Sequence, residues 1–399
     1  MTKAGSLPGS QAQVGEASLA EEELRMSIRE FVSAKVMPGA AGRDQTSEFP
    51  RTLIDELGRL DVMGIGVPAE FGGVSLPATV RTAAIEEIAW GDAALASIYT
   101  AHYLAIEALL LFGSDRQKRE HLIDLAAGRG LGAFALTEPE AGSDIGSMRM
   151  HAVRTAKDWK LSGTKTFISN AKEASVLIVF AKTTPSAGFR GISAFIVPAG
   201  LPGVTFSPAQ EKCGIRAAPT YTMYFEGVTL PSEALLGSEG AGGIIALTTL
   251  NPGRIDIAAM GCGIALRALR LATEYATSRR QFGTPLRDMQ AVQLLLGEMA
   301  VTVAAARAVT REAAQAKDAT RDIRRIAAIA KYIASEGCFS VVDKALQIHG
   351  GAGYMRELEI ERLYRDCRIL RIFEGTSQIQ LLAVTRDLLQ SFDSVSDGR

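Results

Sequence analysis

Apolar positions in the first third of the chain recur at helical spacing. Leu24, Ile28, Phe31 and Val32 form one stripe, preceded by a capping-box spacing at Ser18 and Glu21 and stopped by Pro38 and Gly39. Leu53, Leu57 and Leu60 form a second stripe, Ile85 and Ile88 a third, and Leu104 to Leu111 a fourth. Gly72-Gly73 and Gly113-Ser114-Asp115 read as breaks between them. From Ala133 to about Leu236 the texture changes to short apolar runs, such as Val176 to Phe180, Ile192 to Val197 and Tyr221 to Phe225, set between Gly, Pro, Ser and Asn clusters. That pattern predicts a compact β domain of antiparallel strands or a small barrel.

Beyond about Gly243 the helical period returns and stays. One predicted helix carries Ile257, Met260, Ile264, Ala268, Ala272 and Tyr275, and another Val292, Leu296, Met299 and Val303. A third carries Ile326, Ile329, Ile333, Ala334 and Val341, with Gly337 where a neighbour could approach closely. Long amphipathic helices joined by short loops predict a bundle. The expected fold is therefore α+β: a helical domain over 18–132, a β domain over 133–242 and a helical bundle over 243–391.

A chain of 399 residues with 47% hydrophobic and 22% charged residues fits a globular protein with more than one packed unit. A net charge of −1 gives no electrostatic case for nucleic acid or an anionic membrane. No apolar run is expected to reach the length of a membrane span. The acidic start, with Glu16, Glu21, Glu22 and Glu23, lacks the features of a signal or transit peptide, so a cytoplasmic location is expected. Cys213, Cys262, Cys338 and Cys367 form no C-x-x-C pair and the four histidines are dispersed, which disfavours disulfides and a metal centre.

The candidate chemistry lies near the end, in Tyr364-Arg365-Asp366-Cys367-Arg368-Ile369-Leu370-Arg371-Ile372-Phe373-Glu374-Gly375-Thr376-Ser377-Gln378-Ile379-Gln380. Ile369, Leu370, Ile372 and Phe373 would set Glu374 against an apolar wall. Desolvation there raises a carboxylate's pKa and suits a base for a weakly acidic C–H. Gly375 tolerates unusual backbone angles, and Thr376 or Ser377 can cap the helix expected from Gln378 to Leu389. An ordinary loop glutamate before a helix is the competing reading. The run Gly237 to Gly243 vaguely suggests a dinucleotide fingerprint, but no βαβ unit surrounds it, and it reads as a linker into the bundle.

The Glu374 stretch resembles the catalytic segment of the acyl-CoA dehydrogenases, and four further segments agree with that family in order. They are Leu136-Thr137-Glu138-Pro139-Glu140-Ala141-Gly142-Ser143-Asp144, Gly163-Thr164-Lys165-Thr166-Phe167-Ile168-Ser169-Asn170-Ala171, Tyr275-Ala276-Thr277-Ser278-Arg279-Arg280-Gln281-Phe282-Gly283 and Gln347-Ile348-His349-Gly350-Gly351-Ala352-Gly353-Tyr354. The resemblance covers roughly residues 18 to 390. It implies the same three domains, ending in a four-helix bundle, and FAD-dependent removal of two hydrogens from an acyl-CoA thioester, giving the trans-2-enoyl-CoA. Electrons would pass to an electron-transfer flavoprotein. By match to the motif, Glu374 takes the α-proton while the β-hydride goes to flavin N5. The Glu374 N–H, with a flavin ribityl hydroxyl, would meet the thioester oxygen. Some members place the base immediately before an arginine in the bundle's first helix. Here that position is Gly253, which cannot take a proton. Arg254 matches an arginine near the catalytic carboxylate, or else serves a structural ion pair, and Asn251 stands where the family often has Asp.

The resemblance further implies FAD contacts at Leu136, Thr137, Gly142, Ser143, Phe167, Ser169, Thr376 and Gln378, with Phe167 where the family often has Trp. Arg279, Gln281, Phe282, Gln347, Gly350 and Gly351 match positions that reach FAD across a subunit interface, which implies a homo-oligomer built as a dimer of dimers. Taken alone, Arg279-Arg280 suits a helix C-terminal dipole and Gly350-Gly351 a helix stop. Ser143, Gly375 and Tyr99 are the candidate substrate contacts. Tyr99 or Tyr103 could close off long chains and favour a short or branched acyl group, or could simply fill a helix core. An acyl-CoA oxidase or flavin monooxygenase relative is the second reading, and a non-catalytic scaffold the third.

Overall fold

The computed structural model describes residues 22–396, so the Ser18/Glu21 spacing lies outside the described residues. Helix α1 (22–31) does not stop at Pro38. It runs through a π-helical turn, Val32–Val36, into α2 (Met37–Thr46), and ends at Ser47 in the left-handed region with φ 56°. Proline lacks the N–H for the carbonyl four residues back and its ring crowds that carbonyl. The wide turn, closed by Met37 N–H on the Val32 carbonyl, absorbs the mismatch just before it. Arg43 then donates to the Val36 carbonyl at 2.6 Å and to Asp92 at 2.7 Å.

The rest of the first domain is α3 (Arg51–Arg59), α4 (Ala78–Gly91), α5 (Ala93–Phe112) and α6 (Asp115–Ala126). Asp92 caps α5, accepting from Ala94 N at 2.9 Å. Among the described residues two helices are in fact long and apolar enough to cross a membrane: α5 and the bundle helix Gln290–Asp318. The composition of α5 has a plain cause, since it is mostly buried between its neighbours.

Strands β1 (Gly132–Ala135), β2 (His151–Arg154), β3 (Asp158–Ser169), β4 (Val176–Lys182), β5 (Ile192–Pro198), β6 (Val204–Phe206), β7 (Thr220–Pro231) and β8 (Leu235–Leu236) form one sheet in the order β6-β7-β3-β2-β4-β5-β8, with β1 also on β4. It is not purely antiparallel: β1 pairs with β4 in parallel, and β2 meets β4 in parallel at His151 and Lys182. Its interior holds Trp159, Phe195, Met223 and Phe225, all nearly inaccessible.

The bundle follows: α7 (Gly242–Ser278), a ribbon of β9 (Arg280–Gln281) and β10 (Thr284–Pro285), α8 (Gln290–Asp318), α9 (Arg324–His349), α10 (Glu359–Cys367) and α11 (Ser377–Ser396). Gly337 of α9 lies close to α8: a Cβ there would stand 2.9 Å from Thr302 Cγ2. The buried face of α9 is rotated from the expected one. Ile333 is exposed, whereas Lys331 is fully buried among Ala327, Ala328, Ala330 and Ala334.

The first domain and the bundle are joined by charges as well as by apolar surface. Arg81 of α4 holds Glu107 of α5 at 2.7 Å and Asp256 of α7 at 3.2 Å, and Lys317 of α8 also meets Glu107. Arg81, Glu107 and Asp256 are buried and Lys317 is partly exposed, and pairing compensates much of the desolvation.

Candidate active site

Glu374 sits in the turn between a 3₁₀ segment, Arg368–Arg371, and α11. It adopts φ 51° and Gly375 follows at φ 92°, so two consecutive residues are left-handed and one of them carries a side chain. Such a conformation persists only when its surroundings over-determine it. Here they do. Gln380 donates to the carbonyls of Glu374 at 3.2 Å and Gly375 at 2.9 Å, and Lys331 reaches across from α9 to Gly375 O at 2.7 Å. The Thr376 hydroxyl accepts from Ile379 N at 3.3 Å and so caps α11.

The Glu374 side chain points at α7. Glu374 as a residue is half-buried, but its Oε2 is shut off from solvent and has no hydrogen-bond partner. A Cβ on Gly253 would stand 2.4 Å from that oxygen and 2.8 Å from Leu104 Cδ2 of α5. The carboxylate therefore occupies the space a side chain at 253 would need. Pro252 and Gly253, two poor helix residues, lie inside α7 at this level, and the helix continues through them. Burial pushes the Glu374 carboxyl up to about 8, helped by the Asp256 carboxylate and opposed by Lys331 and Arg254. Arg254 is itself buried and donates to Asn251 Oδ1 at 2.9 Å, so the residue standing for the expected Asp serves as a neutral partner.

The β-domain candidates gather at the ends of β1 and β3. Lys165, fully buried, donates to Leu136 O at 2.9 Å and to Glu138 Oε1 at 2.8 Å. Glu138 also accepts from the N–H groups of Arg149 at 2.6 Å and Met150 at 3.1 Å, and Thr137 O accepts from Thr166 N at 2.9 Å. These bonds fix the loop that presents Thr137, Gly142 and Ser143. Phe167 lies at an irregularity in the β3–β7 pairing, with φ 58° and 66% of its surface exposed, next to the half-buried Ser169. Asn170 then ties β3 to α5, donating to Ile98 O at 2.9 Å. Ile98 and Leu104 are six residues apart, about 9 Å along one helix. One helix thus links the β-domain cluster to the wall beside Glu374.

The remaining candidates lie elsewhere. Arg279 is exposed between α7 and β9, and Gln281 and Phe282 are exposed in the β9–β10 ribbon, with Phe282 96% exposed. Gln347, Gly350 and Gly351 are exposed at the end of α9. Tyr275 stacks on His349 with ring centroids 4.4 Å apart, which brings these two sets to the same end of the bundle. Along α9, Gln347 is about 24 Å from Lys331 and hence far from Glu374. Thr376 and Gln378 stay beside the base by sequence. Tyr99 is 1% exposed with its hydroxyl on Val62 O at 2.9 Å, so packing gives it the helix-core role, while Leu104 is the α5 side chain that faces Gly253 beside the carboxylate. Sequence reasoning missed Lys331, Gln380, Lys165 and Asn170 as organisers. The signal for Lys331 was a lone lysine in a run of alanines.

Family profiles match all three parts: acyl-CoA dehydrogenase N-terminal domain over 18–129, middle domain over 133–228 and C-terminal domain over 240–389. The chain belongs to the acyl-CoA dehydrogenase family. It is 41% identical over 372 residues to the mitochondrial short-chain specific acyl-CoA dehydrogenase of Bos taurus, covering 93% of this chain and 90% of that protein. The butyryl-CoA dehydrogenase structure from Megasphaera elsdenii superposes with a TM-score of 0.91 at 35% identity, covering 97% of this chain and 100% of that one. A chain in the structure of the electron transferring flavoprotein of Acidaminococcus fermentans also superposes with a TM-score of 0.91, at 37% identity, covering 92% of this chain and 97% of that one.

In this acyl-CoA dehydrogenase, Gly253→Ala gives a direct check on the geometry. The new methyl group would force the Glu374 carboxylate to move by about 1 Å, a displacement that can lower turnover about 100-fold. Turnover is expected to fall by about 10- to 100-fold with the melting temperature nearly unchanged, since the flexible end of Glu374 can yield. Wild-type turnover would mean that the carboxylate does not work from this position.

Proposed function

We propose that this acyl-CoA dehydrogenase oxidises a short-chain acyl-CoA to the trans-2-enoyl-CoA, with Glu374 as the base. The observation that carries the reading is the Glu374 carboxylate itself: Oε2 is buried and unpartnered, and burial lifts its pKa to about 8. Such an oxygen is ready to take a proton from a substrate carbon, and a pKa near the working pH suits proton transfer. The α-proton goes to Glu374, and the pair of electrons left at Cα forms the new double bond as the β-hydrogen departs. Bound FAD would supply the acceptor for that β-hydrogen, which leaves as hydride with the electron pair of its own C–H bond. The Glu374 N–H is the proposed donor to the thioester oxygen, held in place by the pinned Glu374–Gly375 turn. Ser143 and Gly375 are proposed to touch the substrate. The short acyl chain is favoured by the names of the bovine and Megasphaera relatives.

The residues fit FAD. No heavy atom lies within 4 Å of the Cβ positions at Gly142, Gly350 and Gly351, so ligand could approach their backbone closely, and Phe167 offers an exposed aromatic face. Leu136, Thr137, Ser143, Ser169, Thr376 and Gln378 would complete one subunit's share. Arg279, Gln281, Phe282 and Gln347 would serve a neighbouring subunit, because they are exposed and distant from Glu374 in their own chain. The exposed Leu381, Leu382, Leu388 and Leu389 of α11 support further association into a dimer of dimers. An electron-transfer flavoprotein is the proposed acceptor, in keeping with the Acidaminococcus neighbour. The free cysteines suit a reducing compartment, for which we propose the cytoplasm.

Anaerobic bleaching of the flavin by acyl-CoAs of graded length and branching tests the reaction. Fast bleaching by short straight chains is expected. No bleaching of a fully flavin-loaded protein by any acyl-CoA would overturn the proposal, and rapid reoxidation by oxygen would favour the oxidase reading. Arg279→Ala is expected to weaken FAD retention about 10-fold or more by removing a charge-assisted phosphate contact. Unchanged flavin affinity on dilution would remove Arg279 from the cofactor site.

A further inference from the structure

Lys331 is a buried cation without a carboxylate bonded to it. Lys165, the other fully buried lysine among the described residues, bonds Glu138, and the partly exposed Lys317 bonds Glu107. Lys331 is fully inaccessible, makes no salt bridge among the described residues, and spends its hydrogen bond on the neutral carbonyl of Gly375 at 2.7 Å. Burying an ammonium this way is costly unless its charge is used. The carbonyl it grips belongs to the residue after Glu374, in the left-handed turn that aims the base at α7.

Resting on the reading of Glu374 as the base, we propose that Lys331 is the positioning residue of this site: its N–H holds the Glu374–Gly375 turn and its charge favours the ionised form of the carboxylate. The surroundings of the turn agree. Gln380 shares the Gly375 carbonyl, so the turn is gripped from α9 and α11 together. Burial lowers Lys331 to about 8 while Glu374 is raised to about 8, each drawing the other back toward its charged form. The other charged groups facing the pair are Arg254 and Asp256 from α7 and Glu336 on α9. Glu336 is held by Arg371 at 2.8 Å and also bonds Ser377. Arg254 attracts the Glu374 carboxylate and Asp256 opposes its ionisation, so Lys331 is not the sole electrostatic influence, but among these groups it alone bonds the turn.

The test compares Lys331→Met with Lys331→Gln in the flavin-loaded protein. Glutamine can still donate to the Gly375 carbonyl, whereas methionine cannot, and neither carries charge. The Glu374 carboxyl is followed by infrared titration, taking the difference against Glu374→Gln, alongside kcat and KM as functions of pH. Both variants are expected to raise the Glu374 midpoint by about one to three pH units, the range for loss of a nearby opposite charge. The plateau kcat should fall about 10- to 100-fold in Lys331→Met, recover in large part in Lys331→Gln, and leave KM for acyl-CoA within about 3-fold. An unmoved infrared midpoint in either folded variant would overturn the electrostatic role. Equal kcat in both would overturn the role of the hydrogen bond. If Lys331→Met does not fold, Lys331→Gln decides the electrostatic role and Gln380→Leu stands in for loss of a grip on the carbonyl. Should the wild-type protein fail to oxidise any acyl-CoA, the base assignment falls, yet the infrared titration still decides whether Lys331 governs this carboxyl.

Discussion

Glu374→Gln is expected to leave a folded, flavin-binding protein that dehydrogenates acyl-CoA at least about 1,000-fold more slowly. Glutamine keeps the volume and polarity beside Gly253 and Leu104 but cannot accept the α-proton, so the loss should fall on kcat more than on KM. In the wild-type protein, kcat/KM should rise with pH to a plateau above about 8, the value to which burial lifts this carboxyl. The same shift has a stability signature. A folded pKa raised above the unfolded one contributes stability that is fully present below the unfolded value near 4.5 and is lost as pH rises through about 8. Relative to wild type, the Gln variant should therefore gain melting temperature as pH climbs across that window. Parallel pH series of kcat/KM and melting temperature check both halves. Normal turnover by the variant would move the base elsewhere.

Lys165→Met is expected to be the most destabilising single change near the candidate cofactor loop, by about 3–5 kcal/mol. It leaves the Glu138 carboxylate, 5% exposed, without its cationic partner, and an uncompensated buried charge carries a penalty of that size. Glu138 would retain the Arg149 and Met150 N–H groups, which limits the damage toward the lower end. The loop presenting Thr137, Gly142 and Ser143 would also lose the Leu136 carbonyl contact, so flavin retention should fall together with stability. Urea unfolding monitored with flavin release measures both. A stable variant that keeps its flavin would show that the loop does not depend on this bond.

Local periodicity made the architecture legible: helical stripes, a strand-rich middle and long bundle helices lie where apolar spacing predicts them. The burial of Glu374 was anticipated from its apolar neighbours in sequence, but the surroundings the structure shows are Gly253 of α7 and Leu104 of α5, while Ile372 is 48% exposed. What stayed hidden depends on contacts between residues far apart in sequence. Pro38 looks like a helix stop, and only the π turn before it and the Arg43–Asp92 contact explain its tolerance. Ile333 looks like the core of α9, but the helix is rotated so that Lys331 meets the Gly375 carbonyl, 44 residues onward. Tyr99 could line a pocket by composition, yet the Val62 carbonyl claims its hydroxyl. Motif matching proposed the FAD contacts, while Lys165 and Asn170, inside one quoted motif, turned out to be fasteners.

The tight fit between Gly253 and the Glu374 carboxylate also constrains what position 253 can hold. A side chain at 253 and the Glu374 carboxylate in its present position compete for one volume, so a larger residue at 253 requires that carboxylate to swing aside. If the proposed base is correct, a change at 253 would therefore reach the function before it reached the fold, and the glycine there would be held by the chemistry of a residue 121 positions away.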